Sequence, residues 1–378
     1  MTSLRLLADD LTGALDTAAA FVPLTGPVGG FWRHHDQLPA NAAIDAATRE
    51  LDRATAMSRH HALSDVLAQA DIAFKKIDSL LRGHTFPEIA ACFATGHWDR
   101  IVLAPAFPFQ GRVTRDSCQY RRSDDGRWQN VGDIRAGLAA EGLASGVSVF
   151  DAETDSNLQS IVRRNLAAGG RILWCGSAGL AQALVAVLAP SGLATPDRVR
   201  APVLGLFGSD QDVTARQLAN CAPYTLHLSR HYERSEATQE SDGGFPGLLR
   251  SARNDEENIT KYMAQFDVAM IGFDLPPDTP RAAAAGMIRD RIATLLPALP
   301  KPGTLVVAGG ETLRTVCDLL GTTHLEVTGA ELPGVPRSVM RGGAWDGVDV
   351  ISKSGAFGAP NLLRDLLASA DIAFERIG

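Results

Sequence analysis

The sequence predicts an α/β protein of two domains, each with a largely parallel sheet flanked by helices. β-rich apolar runs alternate with helical segments, and a polar stretch divides the chain near its middle. The length of 378 residues exceeds what one hydrophobic core usually serves, and an apolar content of 45% is enough to fill two cores.

Short apolar runs bounded by turn residues are the candidate strands. They are Leu4–Ala8, Ile72–Ile77, Ile101–Ala104, Val147–Phe150, Ile172–Cys175, Val203–Phe207, Val268–Ile271, Thr304–Val307 and Val348–Ile351. Helical segments between them include 155–168, 177–189, 281–296 and 311–320. Because this alternation is typical of strand–helix–strand crossovers, we expect parallel sheets.

The stretch 190–202, PSGLATPDRVRAP, is rich in proline, glycine and polar residues and predicts a linker. We therefore expect one domain over 1–198 and a second over 199–378. Another polar stretch, 230–258, predicts a surface excursion within the second domain.

The charge balance speaks against nucleic acid or an anionic membrane as the main partner. Lys and Arg number 36 against 43 Asp and Glu, which gives a formal net charge of −7. The five cysteines are scattered without a CxxC or Cys/His cluster, which disfavours a disulfide framework and a zinc site. The N-terminus becomes polar too early for a signal peptide, and the apolar run at 183–189 is too short to span a bilayer. These features predict a cytoplasmic protein.

In the second half, two strand-to-helix turns are candidates for binding phosphate. They are LFGSD, with Ser209, and VVAGGET, with Gly309, Gly310, Glu311 and Thr312. A helix N-terminus presents unpaired N–H groups, glycine admits a phosphate close to them, and a hydroxyl adds a donor. Any α/β protein needs small residues at such corners, so each turn alone is weak, but two in one domain favour a nucleotide site.

A third candidate is the loop VDVISKSGAFGAPN, 348–361. Gly355 and Gly358 could adopt positive φ and admit a nucleotide, and Lys353 could be a point charge near phosphate. A loop that only reverses the chain direction explains the spacing equally well.

Several signatures are absent. There is no GxxxxGK[ST], which excludes a P-loop enzyme, and no GxGxxG after the first strand, which weakens a dinucleotide-dependent dehydrogenase. The GSAG at 176–179 lacks the first glycine of the GxSxG motif that forms the nucleophile elbow of serine hydrolases, so a serine hydrolase is not supported.

In the first half, polar residues collect where strands end. Asp9 and Asp10 follow the first strand within LLADDLTGALD, and Asp10 is also a good helix N-cap. FKKIDSLLRGH places Lys75 and Lys76 on opposite faces of a strand, so one of them can face a cleft. Further strand-end residues are Arg49, Asp78, Ser79, Arg82, Gly111 and Arg112. Each arginine taken alone is best explained as a solvent-exposed surface residue. Together, these groups are suited to bind a small, hydroxylated, anionic ligand.

The combination ADDLTGALD, FKKIDSLLRG, APAFPFQGR, GSAGLA, the GS at 208–209, GGET and KSGAFG resembles the four-carbon acid sugar kinase family, ATP-dependent kinases of threonate, erythronate and 3-oxo-tetronate type acids. The resemblance runs in order from about residue 4 to residue 367. It implies an N-terminal domain that binds the sugar acid, a C-terminal domain that binds ATP, and an active site in the cleft between them.

By position, the resemblance implies two sets of binding residues. The sugar-acid set is Asp9, Arg49, Lys76, Ile77, Asp78, Ser79 and Arg82, with Asp10 matching the second of the family's paired acidic residues, and the strand-end reasoning adds Gly111 and Arg112. The ATP set is Ser209, Gly309, Gly310, Glu311, Thr312 and Gly355, to which the loop reasoning adds Lys353 and Gly358. The chain is shorter than expected for the family, and Ile77 and Leu80 stand where relatives often have small polar residues, which leaves the exact acid open.

The expected reaction transfers the ATP γ-phosphoryl group to a hydroxyl of a four-carbon sugar acid, the terminal one being favoured. A carboxylate among Asp9, Asp10 and Asp78 would accept the proton, with Asp10 preferred. Arg49 and Arg82 would hold the substrate carboxylate, and Lys76 would offset charge on the phosphoryl group. Mg²⁺ would arrive with ATP, since no all-protein metal cage is visible.

Two other readings remain open. One is a two-lobed sugar-acid binding protein without turnover, and the other is an NAD-dependent oxidoreductase of small hydroxy acids. The sequence also leaves open the stereoisomer used and whether the protein forms a homo-oligomer.

Overall fold

The computed structural model describes residues 2–35, 37–123, 125–189, 198–208, 211–229, 252–275, 279–372 and 374. The chain divides into two compact units, Met1–Thr195 with His324–Pro336 and Pro196–Thr323 with Arg337–Gly378. Of the predicted linker, only 198–202 lies within the described residues, and of the predicted surface excursion only 252–258, which opens a helix.

Up to residue 189, strands and helices mostly alternate, except that β2 and β3 follow one another directly and β6, β7 and β8 are consecutive strands. The strands are β1 (Leu4–Ala8), β2 (Val28–Phe31), β3 (Asn41–Asp45), β4 (Ile72–Lys76), β5 (Arg100–Ala104), β6 (Arg112–Arg115), β7 (Cys118–Arg122), β8 (Trp128–Asp133), β9 (Val147–Val149) and β10 (Ile172–Gly176). The helices are α1 (Leu11–Thr25), α2 (Arg53–Leu67), α3 (Thr85–Phe93), α4 (Ile134–Ala140), α5 (Asp155–Ala167) and α6 (Ala178–Leu188).

In the remainder of the chain strands and helices also mostly alternate, and β15, β16 and β17 are consecutive strands. Its strands are β11 (Val203–Phe207), β12 (Thr225–Ser229), β13 (Val268–Asp274), β14 (Thr304–Ala308), β15 (His324–Leu332), β16 (Val335–Arg341) and β17 (Asp349–Lys353). Its helices are α7 (Asp212–Ala219), α8 (Ala252–Phe266), α9 (Arg281–Leu295), α10 (Gly310–Leu320) and α11 (Leu362–Ser369).

In the first unit the main sheet has the order β15-β2-β3-β1-β4-β10-β5-β9. All neighbours pair in parallel except β15 with β2. A separate antiparallel sheet joins β6, β7 and β8. The carboxyl ends of β3, β1, β4, β10 and β5 therefore lie side by side along one edge, where polar residues can meet.

In the second unit the order is β12-β13-β11-β14-β17-β16. Only the pairing of β16 with β17 is antiparallel. The predicted fold class, α/β with largely parallel sheets in two parts, is confirmed.

The core of the first unit explains its apolar strands. Leu7, Ala73, Ile77 and Leu173 are at most 2% exposed and pack with apolar residues of α2, α3 and α4. On the other face of the sheet, Phe74 meets Phe21 of α1 edge to face, with ring centroids 5.5 Å apart. Both faces of the sheet are thus covered, as parallel sheets require.

All the strands expected from the sequence are present, but others were missed. β2 (VGGF) and β3 (NAAID) are poor in β-branched residues, and β6 to β8 carry many polar ones, so their local pattern is weak. β15 lies in the half expected to form the second domain, yet Leu325 to Val327 pair with Gly30 to Val28 of the first unit. No helix within the described ranges combines the length and apolar character that crossing a bilayer requires.

Candidate functional site

An acid–arginine cluster lies at the carboxyl edge of the first unit. Asp9 and Asp10 follow β1, Arg49 follows β3, and Asp78 follows β4. The loop after β3 is tied to the end of β1, because Thr48 N and Arg49 N donate to the Asp9 carbonyl at 3.0 and 3.3 Å. This backbone contact brings the guanidinium of Arg49 onto the carboxylates.

Arg49 is the centre of the cluster. Its Nε and Nη2 donate to both oxygens of Asp9 at 2.7 and 2.9 Å, and Nη1 donates to Asp10 Oδ2 at 2.7 Å. Nη2 also lies 3.5 Å from Asp78 Oδ2. Arg49 thus joins three carboxylates, and almost all its N–H groups are engaged within the described residues.

The cluster keeps its buried carboxyls ionised. Burial alone would raise the pKa of Asp9, but Arg49, Lys75 and Lys76 outweigh it and hold that pKa below its usual value. Burial likewise opposes ionisation of Asp78, yet the hydrogen bond from Arg82 and the charges of Arg49, Arg82 and Lys76 lower its pKa well below the ordinary range. Both groups are therefore anions at neutral pH.

Asp10 also has a structural role, as the cap of a helix. It is the N-cap of α1, where Oδ1 accepts from Gly13 N at 3.0 Å and Oδ2 accepts from Thr12 Oγ1 at 2.7 Å. With Arg49 also on Oδ2, both oxygens of the carboxyl are occupied.

Two further arginines border the cluster and keep donors available. Arg82, with a side chain 60% exposed, uses Nε and Nη2 on Asp78 Oδ2 at 3.1 and 2.6 Å. Arg112 interacts electrostatically with Asp78 and Arg82, and its buried Nε has no hydrogen-bond partner among the described residues. Arg82 Nη1 and Arg112 Nε can therefore serve an anionic ligand.

The two lysines of β4 face opposite sides of the sheet, as their alternation requires. Lys76 lies on the side of α1, where a Cβ at Gly13 would come within 2.9 Å of its Nζ. A side chain at position 13 would therefore crowd the ammonium group of Lys76. In the part of the chain that the structure describes, Lys76 Nζ makes no hydrogen bond, although it is near enough to Asp9, Asp16 and Asp78 to affect their pKa values.

Lys75 faces the opposite side and belongs to a buried network. Its Nζ lies 2.8 Å from Glu88 Oε2, and Glu88 Oε1 accepts from Thr48 Oγ1 at 2.6 Å. His60 Nε2 lies 3.4 Å from Glu88, and burial together with the charge of Lys75 lowers the pKa of His60 to about 2, so it is neutral. The network links the residues that precede Arg49 and Lys76, and so it fixes the positions of both.

The loop 77–83 holds the other predicted substrate residues in different environments. The side chain of Ile77 lies in the core, 1% exposed, so any contact of this residue with a substrate would be through its backbone. Ser79 lies at the partly exposed surface, and its carbonyl accepts from Gln119 Nε2 at 2.8 Å. Leu81 has φ 56°, a strained conformation for a bulky residue, and Gly83 at φ 77° packs beside Asp9 and Arg49.

Gly111 ends a short 3₁₀ turn with φ 64°, and its carbonyl accepts from Arg122 N at 2.8 Å. The structure therefore shows it as a turn residue that orients Arg112 at the start of β6.

Asp16 is a residue of this region that the sequence reasoning missed. It lies on α1 one turn beyond Thr12 and Gly13, and its Oδ1 accepts from Gly334 N, in the turn between β15 and β16, at 2.9 Å. Burial raises its pKa to about 6, with Asp10 acting in the same direction and Lys76 and the Gly334 bond opposing it. The helical spacing from Thr12 could have indicated it, but the contact with Gly334 could not be read locally.

In the second unit, Gly208 directly follows β11 and Gly309 directly follows β14, and the turns that begin with these glycines lie close together. A Cβ at Gly208 would come within 2.3 Å of Thr312 Oγ1, so that position needs glycine. Gly309, at φ 106°, is the N-cap of α10 without a side-chain hydrogen bond, which leaves the N–H groups of Gly310 to Thr312 at the helix start. The exposed Glu311 adds negative charge there. Ser209 lies outside the described residues.

The loop after β17 packs against α7. Lys353 is 2% exposed, and its Nζ donates to Thr214 Oγ1 and to the carbonyls of Ser354 and Gly355 at 3.1, 3.0 and 3.4 Å. Burial lowers the pKa of Lys353 to about 8. The ammonium group therefore helps to hold the shape of its own loop, and its place near a phosphate stays a prediction.

Further hydrogen bonds from α7 hold the later part of the loop that follows β17. Thr214 Oγ1 donates to the Gly355 carbonyl at 2.7 Å, and Gln217 Nε2 donates to the carbonyls of Phe357 and Ala359 at 3.2 and 2.9 Å. Gly358, at φ 104°, leaves room for Gln217. Thr214 and Gln217 were not predicted, because their role depends on a contact about 140 residues away in sequence.

A cavity of about 190 Å³ opens at the carboxyl ends of β12 and β13. Its lining includes Leu228, Phe273, Met287, Ile288 and Asp290. Ile288 also borders Gly208, so the cavity adjoins the glycine turns of the second unit.

The carboxylates do not form a metal centre. Among the described residues there is no group of three or more His, Cys, Asp or Glu side chains that could hold a metal ion. Asp9, Asp10 and Asp78 are instead neutralised by arginine.

The site defines a class of protein: one α/β unit carries groups for a small hydroxylated anion, and another carries glycine turns suited to phosphate. Comparison with known families agrees with this division. Residues 4–131 match the model of a sugar-binding N-terminal domain, and residues 204–363 match that of a nucleotide-binding C-terminal domain.

The chain belongs to the four-carbon acid sugar kinase family. It is 28% identical to a D-threonate kinase of Cupriavidus necator, over 94% of both chains, and 28% identical to one of Bordetella bronchiseptica, over 95% of both. A solved Salmonella typhimurium LT2 structure shares the fold with a TM-score of 0.71 and 18% identity, over 98% of this chain and 99% of the other.

Proposed function

We propose that this protein is an ATP-dependent kinase that phosphorylates a hydroxyl of a four-carbon sugar acid. The acid–arginine cluster of Asp9, Asp10, Arg49 and Asp78, bordered by Arg82 and Arg112, is the observation that carries the proposal. Since curated relatives are D-threonate kinases, D-threonate is the first substrate to test.

The sugar acid would bind by its two kinds of polar group. Arg82 and Arg112, which keep donors available, would take the carboxylate, and the anionic Asp9 and Asp78 would accept from hydroxyls. Arg49 is occupied by three carboxylates, so its contribution would be to hold them in place. If the two arginines hold the carboxylate at one end of the four-carbon acid, the hydroxyl at its other end is left free to be phosphorylated.

ATP would bind in the second unit. The start of α10, from Gly309 to Thr312, would hold phosphates on backbone N–H groups and the threonine hydroxyl, and the loop from Lys353 to Gly358 would border them. The cavity would take the base, since the apolar side chains of Phe273, Met287 and Ile288 form part of its lining and it adjoins Gly208.

Phosphoryl transfer depends on positioning and on neutralising charge. Lys76 supplies a buried cation with no hydrogen-bond partner among the described residues, which suits it to approach the transferred group. Mg²⁺ would accompany ATP on its phosphates, because the described residues offer no cage for it.

A coupled ADP-release screen tests the proposal. D- and L-threonate, D- and L-erythronate and 3-oxo-tetronates are assayed with MgATP, with butyrate as a matched acid that lacks hydroxyls. We expect turnover with at least one sugar acid and none with butyrate. If no sugar acid stimulates ADP release, the kinase proposal is wrong, and the same panel with NAD⁺ tests oxidoreduction.

A further inference from the structure

The kinase reaction needs a group that accepts the proton of the attacking hydroxyl, and the acid–arginine cluster is poorly suited to it. Both oxygens of Asp9 accept from Arg49, and both oxygens of Asp10 are taken by Gly13 N, Thr12 and Arg49. Asp78 accepts from Leu80 N on Oδ1 and from Arg82 on Oδ2. The surrounding cations hold the pKa values of Asp9 and Asp78 low, so these two carboxylates are weak bases, and the Asp10 carboxyl is engaged in capping α1 and binding Arg49.

Asp16 differs in each of these respects. Its Oδ1 accepts from Gly334 N at 2.9 Å, and within the described residues its other oxygen makes no hydrogen bond. It is one helical turn from Thr12 and Gly13, on the side of α1 that Lys76 approaches. No arginine contacts it in the part of the chain that the structure describes, so its charge is not neutralised by an ion pair.

We infer that Asp16 is the catalytic base of this kinase, in place of Asp10, and that Gly334 N orients its carboxyl. The inference rests on the proposed function. Asp16 Oδ2 takes the hydroxyl proton as the hydroxyl oxygen bonds to the γ-phosphorus. The bond from that phosphorus to the β–γ bridging oxygen breaks, and its electron pair leaves with ADP. The proton then passes from Asp16 to solvent.

The protonation state of Asp16 suits this role. Burial raises its pKa to about 6, Asp10 raises it further, and the charge of Lys76 and the Gly334 hydrogen bond counteract this. The carboxyl is then ionised at pH 7 to 8 and still more basic than an ordinary aspartate, which is the range where general bases work best. Lys76 lies beside it to face the phosphoryl group.

The test compares Asp16→Asn with Asp10→Asn in the full-length protein. Asparagine at position 16 still accepts from Gly334 N, so a structural role would survive the change. We expect Asp16→Asn to lower kcat by ~10²–10⁴ while the Kd for the sugar acid stays within about threefold. Wild-type kcat/KM should fall as pH drops below about 6, and Asp10→Asn should keep this acidic limb whereas Asp16→Asn loses it.

A second variant, Asp16→Ala, tests the same role of Asp16, so that the conclusion does not rest on Asp16→Asn alone. Asp16→Ala should be inactive, and added formate should restore its turnover in a saturable way, because formate can supply the missing carboxylate. The matched control is Asp65→Asn, an exposed acid on α2, which should match wild type.

The inference is overturned if Asp16→Asn keeps kcat within about fivefold of wild type, or if Asp10→Asn alone abolishes the acidic limb. These outcomes presuppose a wild-type enzyme that is active with a sugar acid. Absence of acid-dependent ADP release from wild type would overturn the kinase proposal and this one together.

Discussion

Replacing Arg49 by alanine should destabilise the first unit strongly, because it leaves buried carboxylates without their cation. Arg49 contacts Asp9 at 2.7 Å, with side chains 17% and 3% exposed, and Asp10 at 2.7 Å. Breaking a buried ion pair by removing one partner costs about 3–5 kcal/mol. The ratio of folded to unfolded protein should therefore fall ~10²–10⁴-fold at pH 7.

The pH dependence of this loss gives a second signature. In wild type the pKa of Asp9 is below its unfolded value, so its stabilisation is present above the unfolded pKa and lost as pH falls. Without Arg49, burial becomes the dominant influence and the pKa of Asp9 rises. The variant should then gain stability as pH falls from 7 to 5, so its difference from wild type shrinks.

Urea unfolding followed by circular dichroism at pH 7 and pH 5 measures both effects. Arg198→Ala is the control, since its ion pair with Asp371 is 2.6 Å long but both side chains are about three-quarters exposed. Such a pair contributes about 0–1 kcal/mol. A loss below about 1 kcal/mol for Arg49→Ala, equal to the control, would refute the account of the cluster.

Three further outcomes are expected. Glu88→Gln leaves the buried Lys75 without its counter-ion and should cost about 3–5 kcal/mol in urea unfolding, so a loss under about 1 kcal/mol would contradict the network. Gly208→Ala puts a Cβ against Thr312 and should raise KM for ATP at least ~10-fold with an unchanged Kd for the sugar acid. Asp16→Asn should stabilise the protein by about 1–3 kcal/mol at pH 8, because a raised carboxyl pKa makes the ionised form costly above about pH 6, and a lower Tm than wild type would contradict this.

Local sequence patterns were sufficient for the fold class and for part of the candidate site. Consecutive apolar residues identify strands such as β1 and β11, because a parallel sheet buries both faces. The rule that ligands gather at the carboxyl ends of parallel strands pointed to Asp9, Arg49 and Asp78, and the structure brings them together, since Arg49 contacts both carboxylates.

Other features depend on contacts that no local pattern contains. The pairing of β15 with β2 joins segments almost 300 residues apart, and it brings Gly334 to Asp16. The hydrogen bonds of Lys353 to carbonyls of its own loop could not be predicted either, because the spacing of a loop does not say which way a lysine side chain turns.

The central claim is that the protein transfers a phosphoryl group to a sugar acid, and ³¹P NMR of the reaction products tests it most directly. Wild-type protein incubated with MgATP and D-threonate, or with the acid that gives turnover in the screen, should yield ADP and a new phosphomonoester in equal amounts. Arg82→Ala should form that product only at much higher acid concentration, because Arg82 would hold the carboxylate. If ATP yields only ADP and inorganic phosphate, or is not consumed with any of the acids, the account is wrong.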